Sequence, residues 1–210
     1  MAYVMARVFS GHGSYSVDEL SKLAMQDLAP KLAAERGLIR YATISYSDGQ
    51  FGSFSVYDTS EAARRGAQIA SEWVKSRPEM QAARLERTME GEVVFAARGP
   101  AEGKGRLHAI ARLYTTDASL EDIKQALERD AGQMIRSFQG LARYTAAKLT
   151  DGRLGVFSAF DTEENARKSS EQAKSLRMRG DTKLAQLLAS DPEVIEGTVM
   201  ATYVKEHAPA

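Results

Sequence analysis

The chain has 210 residues, with 28 basic and 28 acidic side chains and no cysteine. Balanced charge supplies neither a positive field for nucleic-acid phosphates nor an acidic excess for cations; the missing cysteines remove disulfides, thiol nucleophiles and thiolate ligands, and three histidines make a poor metal centre. Met1 to Phe9 carries Arg7 and is too short and polar for a secretory core, and no apolar run is long enough to span a bilayer. The expectation is a soluble, cytoplasmic protein with no nucleic-acid, membrane or metal partner.

Val4 to Phe9 is a short run of β-branched and aromatic residues and reads as a first strand. Ser16-Val-Asp-Glu19 follows with the signature of a capping box, a hydroxyl for the first free N–H groups of a helix and a carboxylate three residues on. Leu20, Leu23, Ala24 and Leu28 then keep helical spacing, and Pro30 is expected to kink or end that helix. Gly37 stands where a helix C-terminus calls for a left-handed residue. Leu38 to Tyr46 and Phe51 to Tyr57 flank Asp48-Gly49 and form a predicted β-hairpin. Asp58, with Glu61 three positions on, is the expected N-cap of a second helix, whose buried stripe is Ala62-Ala63, Gly66-Ala67, Ile69-Ala70 and Trp73-Val74. A short helix at about Pro78 to Arg87 and a strand at Glu92 to Ala96 complete the half.

The same order then returns. Gly140-Leu-Ala-Arg-Tyr144, Asp151-Gly152, Gly155, Phe157-Ser158 and Asp161-Thr162 repeat Gly37 to Tyr41, Asp48-Gly49, Gly52, Phe54-Ser55 and Asp58-Thr59 at an offset of about 103 residues, without a gap. Leu107 to Tyr114 is the second first strand, its Ala111-Arg-Leu-Tyr114 matching Ala6-Arg-Val-Phe9 once two residues are allowed for. Ser119 opens the next helix without a complete capping box, and Ile123, Leu127, Met134, Ile135 and Phe138 carry its spacing. Asp161 with Glu164 repeats the second cap; a short helix at Thr182 to Ala189 and a strand at Thr198 to Tyr203 close the copy. Between the copies, Arg98-Gly-Pro-Ala-Glu-Gly-Lys-Gly-Arg106 is rich in turn formers. The domain reading is therefore a first module over 1–98, an exposed linker at 99–105 and a second module over 106–210.

Strand, helix, strand, strand, helix, strand favours an antiparallel sheet with helices on one face, the split βαβ plan. The bare face of each sheet is then covered most economically by the other copy. The expected class is α+β, two ferredoxin-like modules with their sheets face to face as a barrel within one chain.

These elements resemble the dimeric α+β barrel superfamily and, within it, the antibiotic biosynthesis monooxygenase-like domains. The resemblance is carried by Gly37-Leu-x-Arg-Tyr41, Asp48-Gly49, Gly52 to Asp58 and Gly91-Glu-Val-Val94, and by Gly140 to Tyr144, Asp151-Gly152, Gly155 to Asp161 and Gly197-Thr-Val-Met200. It implies a pseudo-dimer fused into one chain, with further homo-oligomers open to it, a small-molecule ligand and no cofactor. Members include cofactor-independent oxygenases of polycyclic aromatics and haem degraders. The asparagine, tryptophan and histidine of the latter do not carry over, because Asn165 and Trp73 stand in opposite copies.

Arg40-Tyr41 and Arg143-Tyr144 occupy equivalent strand positions, where Arg orients an anionic or quinone oxygen and Tyr donates a proton or stacks on a ring; a strand Arg also commonly pairs with a neighbouring carboxylate. Arg7 and Arg112 repeat in the same way. His108, set opposite Met5 of the first copy, is a candidate base, and Trp73 a candidate wall for an aromatic ligand; the second copy has Leu176 at that position and replaces the neighbouring small apolar residues with Ser169, Ser170 and Glu171. Tyr41, Tyr144 and His108 are thus the candidate catalytic residues, and Arg40, Arg143 and Trp73 the candidate substrate-binding ones. The activity that fits is cofactor-independent monooxygenation of an aromatic or quinol-like molecule; the alternative is a non-catalytic ligand-binding or stress-associated module.

Overall fold

The computed structural model describes residues 1–103, 105–188 and 190–205. Lys104 of the expected linker, Ala189 at the end of the second short helix and the last residues of the second module lie outside these. Two units emerge, 1–92 with 198–205, and 93–197.

In the first unit, β1 (Tyr3–Ser10) leads to α1 (Val17–Leu23), a π-helical turn (Ala24–Leu28) and α2 (Ala29–Ala34). The hairpin β2 (Leu38–Tyr46) and β3 (Phe51–Tyr57) follows, then α3 (Ser60–Ser76), a 3-10 turn (Pro78–Met80) and β4 (Arg84–Arg98). The same order returns along the chain with β5 (Leu107–Tyr114), α4 (Leu120–Ala126), a π-helical turn (Leu127–Ala131), α5 (Gly132–Ser137), β6 (Leu141–Leu149), β7 (Leu154–Phe160), α6 (Glu163–Arg179), α7 (Lys183–Leu187) and β8 (Glu193–Val204); β4 from Val93 on belongs to the second unit and β8 from Thr198 on to the first. The strands pair antiparallel as β4-β1-β3-β2 in the first unit and β5-β7-β6 in the second. The hydrogen-bonded order β1-β3-β2-β8-β5-β7-β6-β4 closes into a barrel, so the α+β class read from the sequence holds.

Local chemistry accounts for most boundaries. Ser16 and Glu19 form the complete capping box, whereas Ser119 accepts from the Asp122 N–H alone. Both Asp-Gly turns have their glycine at positive φ, 81° for Gly49 and 89° for Gly152, and each glycine N–H donates back to the last residue of the preceding strand, Tyr46 at 3.2 Å and Leu149 at 3.0 Å, so that three residues reverse the chain. The caps of α3 and α6 are Thr59 and Thr162, whose hydroxyls accept from the N–H groups of Ala62 and Asn165; the aspartates expected to do this stand one residue earlier. Their carboxylates fill another role. A Cβ at Gly37 would sit 2.3 Å from Asp58 Oδ1, and one at Gly140 would sit 1.9 Å from Asp161 Oδ1, so each aspartate occupies the space its glycine leaves.

Pro30 does not end its helix. It falls in the first turn of α2, where its missing N–H costs nothing, and the second copy breaks into a π turn at the same place without a proline. The expected helix over Pro78 to Arg87 is a single 3-10 turn, because the charged run from Arg84 begins β4, paired with β1 from Ser10↔Arg84 onward. The linker is exposed only in part. Gly99 and Ala101 donate to the carbonyls of Ala142 and Leu141 at 2.9 and 3.1 Å, and Ala101 is buried.

Each unit has its own core between sheet and helices. Tyr41, Tyr57, Leu20, Leu28, Leu32, Leu38, Ala63 and Trp73 are buried in the first, and Tyr114, Tyr144, Ile123, Leu127, Leu141, Leu154, Phe160 and Leu184 in the second. Burial of such side chains contributes roughly 1.5–3 kcal/mol each.

Candidate functional site

Alternation along a strand decides which predicted residues can meet. Tyr41 points to the helix side and lines a cavity of about 50 Å³ in the first unit, enclosed by β1, β2 and β3 on one side and by α1, the first π turn and α3 on the other. Arg40, its neighbour, must take the opposite face, where its guanidinium lies 5.7 Å from the centre of the Phe54 ring. The two cannot grip one ligand. In the second unit the same alternation separates Arg143, paired with Glu102, from Tyr144, which is buried edge-on to Phe95 at 6.1 Å.

The cation that does reach the cavity is Arg7. It lies on one row with Ser53 and Thr43, since Arg7↔Ser53 and Thr43↔Ser53 are register partners across three strands. One guanidinium nitrogen donates to the Ala67 carbonyl of α3 at 3.1 Å. No carboxylate lies within ion-pair distance of Arg7 among the described residues. Burial pulls its pKa down, opposed in decreasing order by Tyr57, Tyr41 and Glu90. Tyr41 is buried; desolvation, and then Tyr57, drive its phenol well above the ordinary range, opposed by the charge of Arg7 and less by the Ser53 hydroxyl. At neutral pH it is a hydrogen-bond donor and not a base. Ser21 Oγ and Thr43 Oγ1, both buried, are 2.5 Å apart. The rest of the wall is mostly apolar, Phe9, Leu20, Leu28, Phe51 and Met80 among it, and among the described residues no Asp, Glu or His lines it.

Trp73 also lines the cavity, and its orientation is set from outside. Its indole N–H donates to Asp27 Oδ2 at 2.6 Å; Lys31 lies 2.8 Å from the same carboxylate, and Arg77 pairs with it while lying 6.0 Å from the indole. Hydrogen bonds from Lys31 and Trp73, and then from Arg77, hold the Asp27 pKa at about 2 against the usual 3.8, with partial burial opposing them. Asp27 belongs to the π turn, whose extra residue re-aims the side chains around it.

His108 is in the other unit, on β5, paired in register with Phe160. Because Tyr3 pairs with Tyr57 in the first unit, Tyr3 and not Met5 is its counterpart. His12 is occupied within its own loop, 2.6 Å from the Tyr15 carbonyl. Of six candidate site residues, then, the structure brings Tyr41 and Trp73 together and leaves Tyr144, His108, Arg40 and Arg143 elsewhere. Arg7, Ser21, Thr43, Ser53 and Asp27 are added. A sign of Arg7 was present in its repetition as Arg112.

In the second unit different side chains stand at the corresponding positions. Arg112 donates to Ser169 Oγ at 2.8 Å and Ser170 Oγ at 2.7 Å; Leu127 replaces Ala24, and Arg177, bonded to Asp191 at 2.7 Å, replaces Val74. A separate surface pocket of about 360 Å³ is lined largely by polar groups, among them Thr116, Asp117, Asp122, Lys183 and Ser190. Among the described residues no group of three or more His, Asp or Glu is placed to hold a metal ion, and no helix is long and apolar enough to cross a membrane.

No family model matches the chain, and no curated protein does. Solved structures do. A candidate monooxygenase from Lactobacillus acidophilus superposes with a TM-score of 0.68 at 10% identity, covering 97% of each chain. An anthrone oxidase-like protein gives 0.59 at 14% identity over 100% of this chain and 96% of that one. A chlorite dismutase from Candidatus Nitrospira defluvii gives 0.63 at 11% identity over 94% and 90%. At these identities the likeness shows a shared ferredoxin-like barrel fold.

Proposed function

We propose that the first unit binds a small aromatic phenol- or quinol-type molecule with its oxygen against Arg7 and Tyr41, and that the bound anion reacts with dioxygen without a resident cofactor. The observation that carries this reading is a half-buried guanidinium beside a protonated tyrosine in a largely apolar cavity whose other polar lining groups are the hydroxyls of Ser21, Thr43 and Ser53 and whose lining holds no carboxylate. Such a site favours the ionised form of an acidic ligand, so ionisation needs no protein base. The electron-rich anion passes an electron to dioxygen; a substrate that exchanges two hydrogens for one oxygen atom releases the second oxygen as water. The candidate monooxygenase and the anthrone oxidase-like protein share this barrel, and the oxidative chemistry in their names supports the reading.

A cavity of about 50 Å³ is far below the roughly 300 Å³ of a drug-sized site, so an aromatic ring enters only if a wall moves. That smallness is the specific support for the rival reading, a ligand-binding module without catalysis. Oxygen uptake with a panel of anthrols and quinols separates the two. The proposal expects uptake that falls at least about tenfold in Tyr41→Phe and further in Arg7→Gln; no uptake in the parent protein, with ligand binding intact, selects the rival.

A further inference from the structure

The cavity as it stands matches a different size of guest. Its polar floor is the row Arg7, Ser53 and Thr43, with Ser21 bonded to Thr43. Two hydroxyls that bond each other use one of their two protons, and the other has no acceptor among the described residues. Arg7 donates to Ala67 and keeps further N–H groups for the cavity. The floor therefore places the N–H groups of a half-buried cation beside hydroxyls that can turn their protons to a guest, with no carboxylate among the lining residues. A volume of about 50 Å³ exceeds the roughly 10–15 Å³ that one water needs and is too small for an aromatic ring.

We infer that this floor is a binding site for a small inorganic monoanion of halide, nitrite or azide size, held by Arg7 with the Ser21–Thr43 hydroxyl pair as a second donor. The inference rests on reading this cavity as the binding site, but it requires no oxygen chemistry. Apolar walls on the remaining sides exclude hydrated and doubly charged anions, because a dianion would leave one charge unpaired in a desolvated space. Arg112 is held differently, since one of its guanidinium nitrogens donates to both Ser169 and Ser170.

Trp73 is the only tryptophan and lines the cavity, so its emission reports the site. Bromide and azide are titrated into the protein at constant ionic strength set with sodium sulfate, and emission intensity and lifetime are followed. The site predicts a saturable change with bromide and azide and none with sulfate alone. Affinity falls at least about tenfold in Arg7→Gln and about three- to tenfold in Thr43→Val, which keeps the charge and the side-chain volume. A linear collisional response, an equal response to sulfate, or unchanged affinity in Thr43→Val overturns the inference even if Arg7→Gln does not fold. A parallel phenol titration keeps the two readings apart: phenol binding without halide binding removes only the anion site, and halide binding without phenol binding or oxygen uptake removes only the proposed oxygenation.

Discussion

The two units solve one packing problem with different residues. In the first, the Tyr57 hydroxyl lies against α3 where Gly66 has no side chain; a Cβ there would come within 2.2 Å of it, and Ser55 supplies its hydrogen bond. In the second, the positions of Tyr57 and Gly66 are held by Phe160 and Ser169, and the Ser169 hydroxyl turns to Arg112. The serine equivalent to Ser55 survives as Ser158, buried and without a hydrogen-bond partner among the described residues. A hydroxyl on the strand side or one on the helix side is accommodated, but not both. The choice also governs the arginine, because Ser169 and Ser170 bind Arg112 while Arg7, facing Gly66 and Ala67, is left turned to a cavity.

The sharpest test exchanges the two solutions. Gly66→Ser drives a side chain into the Tyr57 hydroxyl and is expected to cost about 2–3 kcal/mol in urea unfolding, most of it recovered in Gly66→Ser/Tyr57→Phe. The reciprocal change Phe160→Tyr should cost about 1–3 kcal/mol and be relieved by Ser169→Gly. If either double variant is no better than its single, the two positions are not coupled.

A smaller effect separates Asp27 from its counterpart Asp130. Asp27 has a folded pKa of about 2, below the usual 3.8, so its stabilisation is complete above about pH 4 and is lost as pH falls through 2. Allowing for its partial exposure, acid unfolding at pH 2 should show a loss of about 1 kcal/mol relative to pH 5 that is missing in Asp27→Asn. Asp130 is also held below the usual range, chiefly by Arg129, but it accepts the Leu184 N–H at 3.1 Å as well. An amide oxygen can keep that bond, so Asp130→Asn should retain more stability, as paired urea titrations would show. The smallest pair is Ser55→Ala and Ser158→Ala. The first should cost about 1 kcal/mol and the second should be neutral or stabilising by up to about 1 kcal/mol, with thermal unfolding as the measure.

Much of this fold was legible because its boundaries are written in local chemistry: the Ser16 box, the Asp-Gly turns and the glycines at positive φ act within a few residues of themselves. The misplaced caps show the limit. Asp58 and Thr59 are both good capping residues, and only the pocket left by Gly37, some twenty residues away, decides which one caps. The start of β4 was hidden because alternating charges on an exposed strand read like a helix surface. The π turns have no comparable sequence mark, and Pro30 drew attention to the wrong cause. In the site, Tyr41 and Trp73 could be found from their types, whereas pairing Arg40 with Tyr41 neglected the pleat. The roles of Arg7 and Asp27 depend on partners 60 and 46 residues away, which no spacing rule reaches.

The π turn gives the first helical region of each unit one residue more than a regular α-helix would use over the same span. Removing a single residue usually turns every later side chain by about 100°, a change few buried helices survive. Here one deletion within Ala24–Leu28 converts the wide turn to an ordinary one and keeps α2 in phase, while the same deletion in α3 swings Trp73 off the cavity. Chain length in this fold is therefore forgiving at one point and strict at the next.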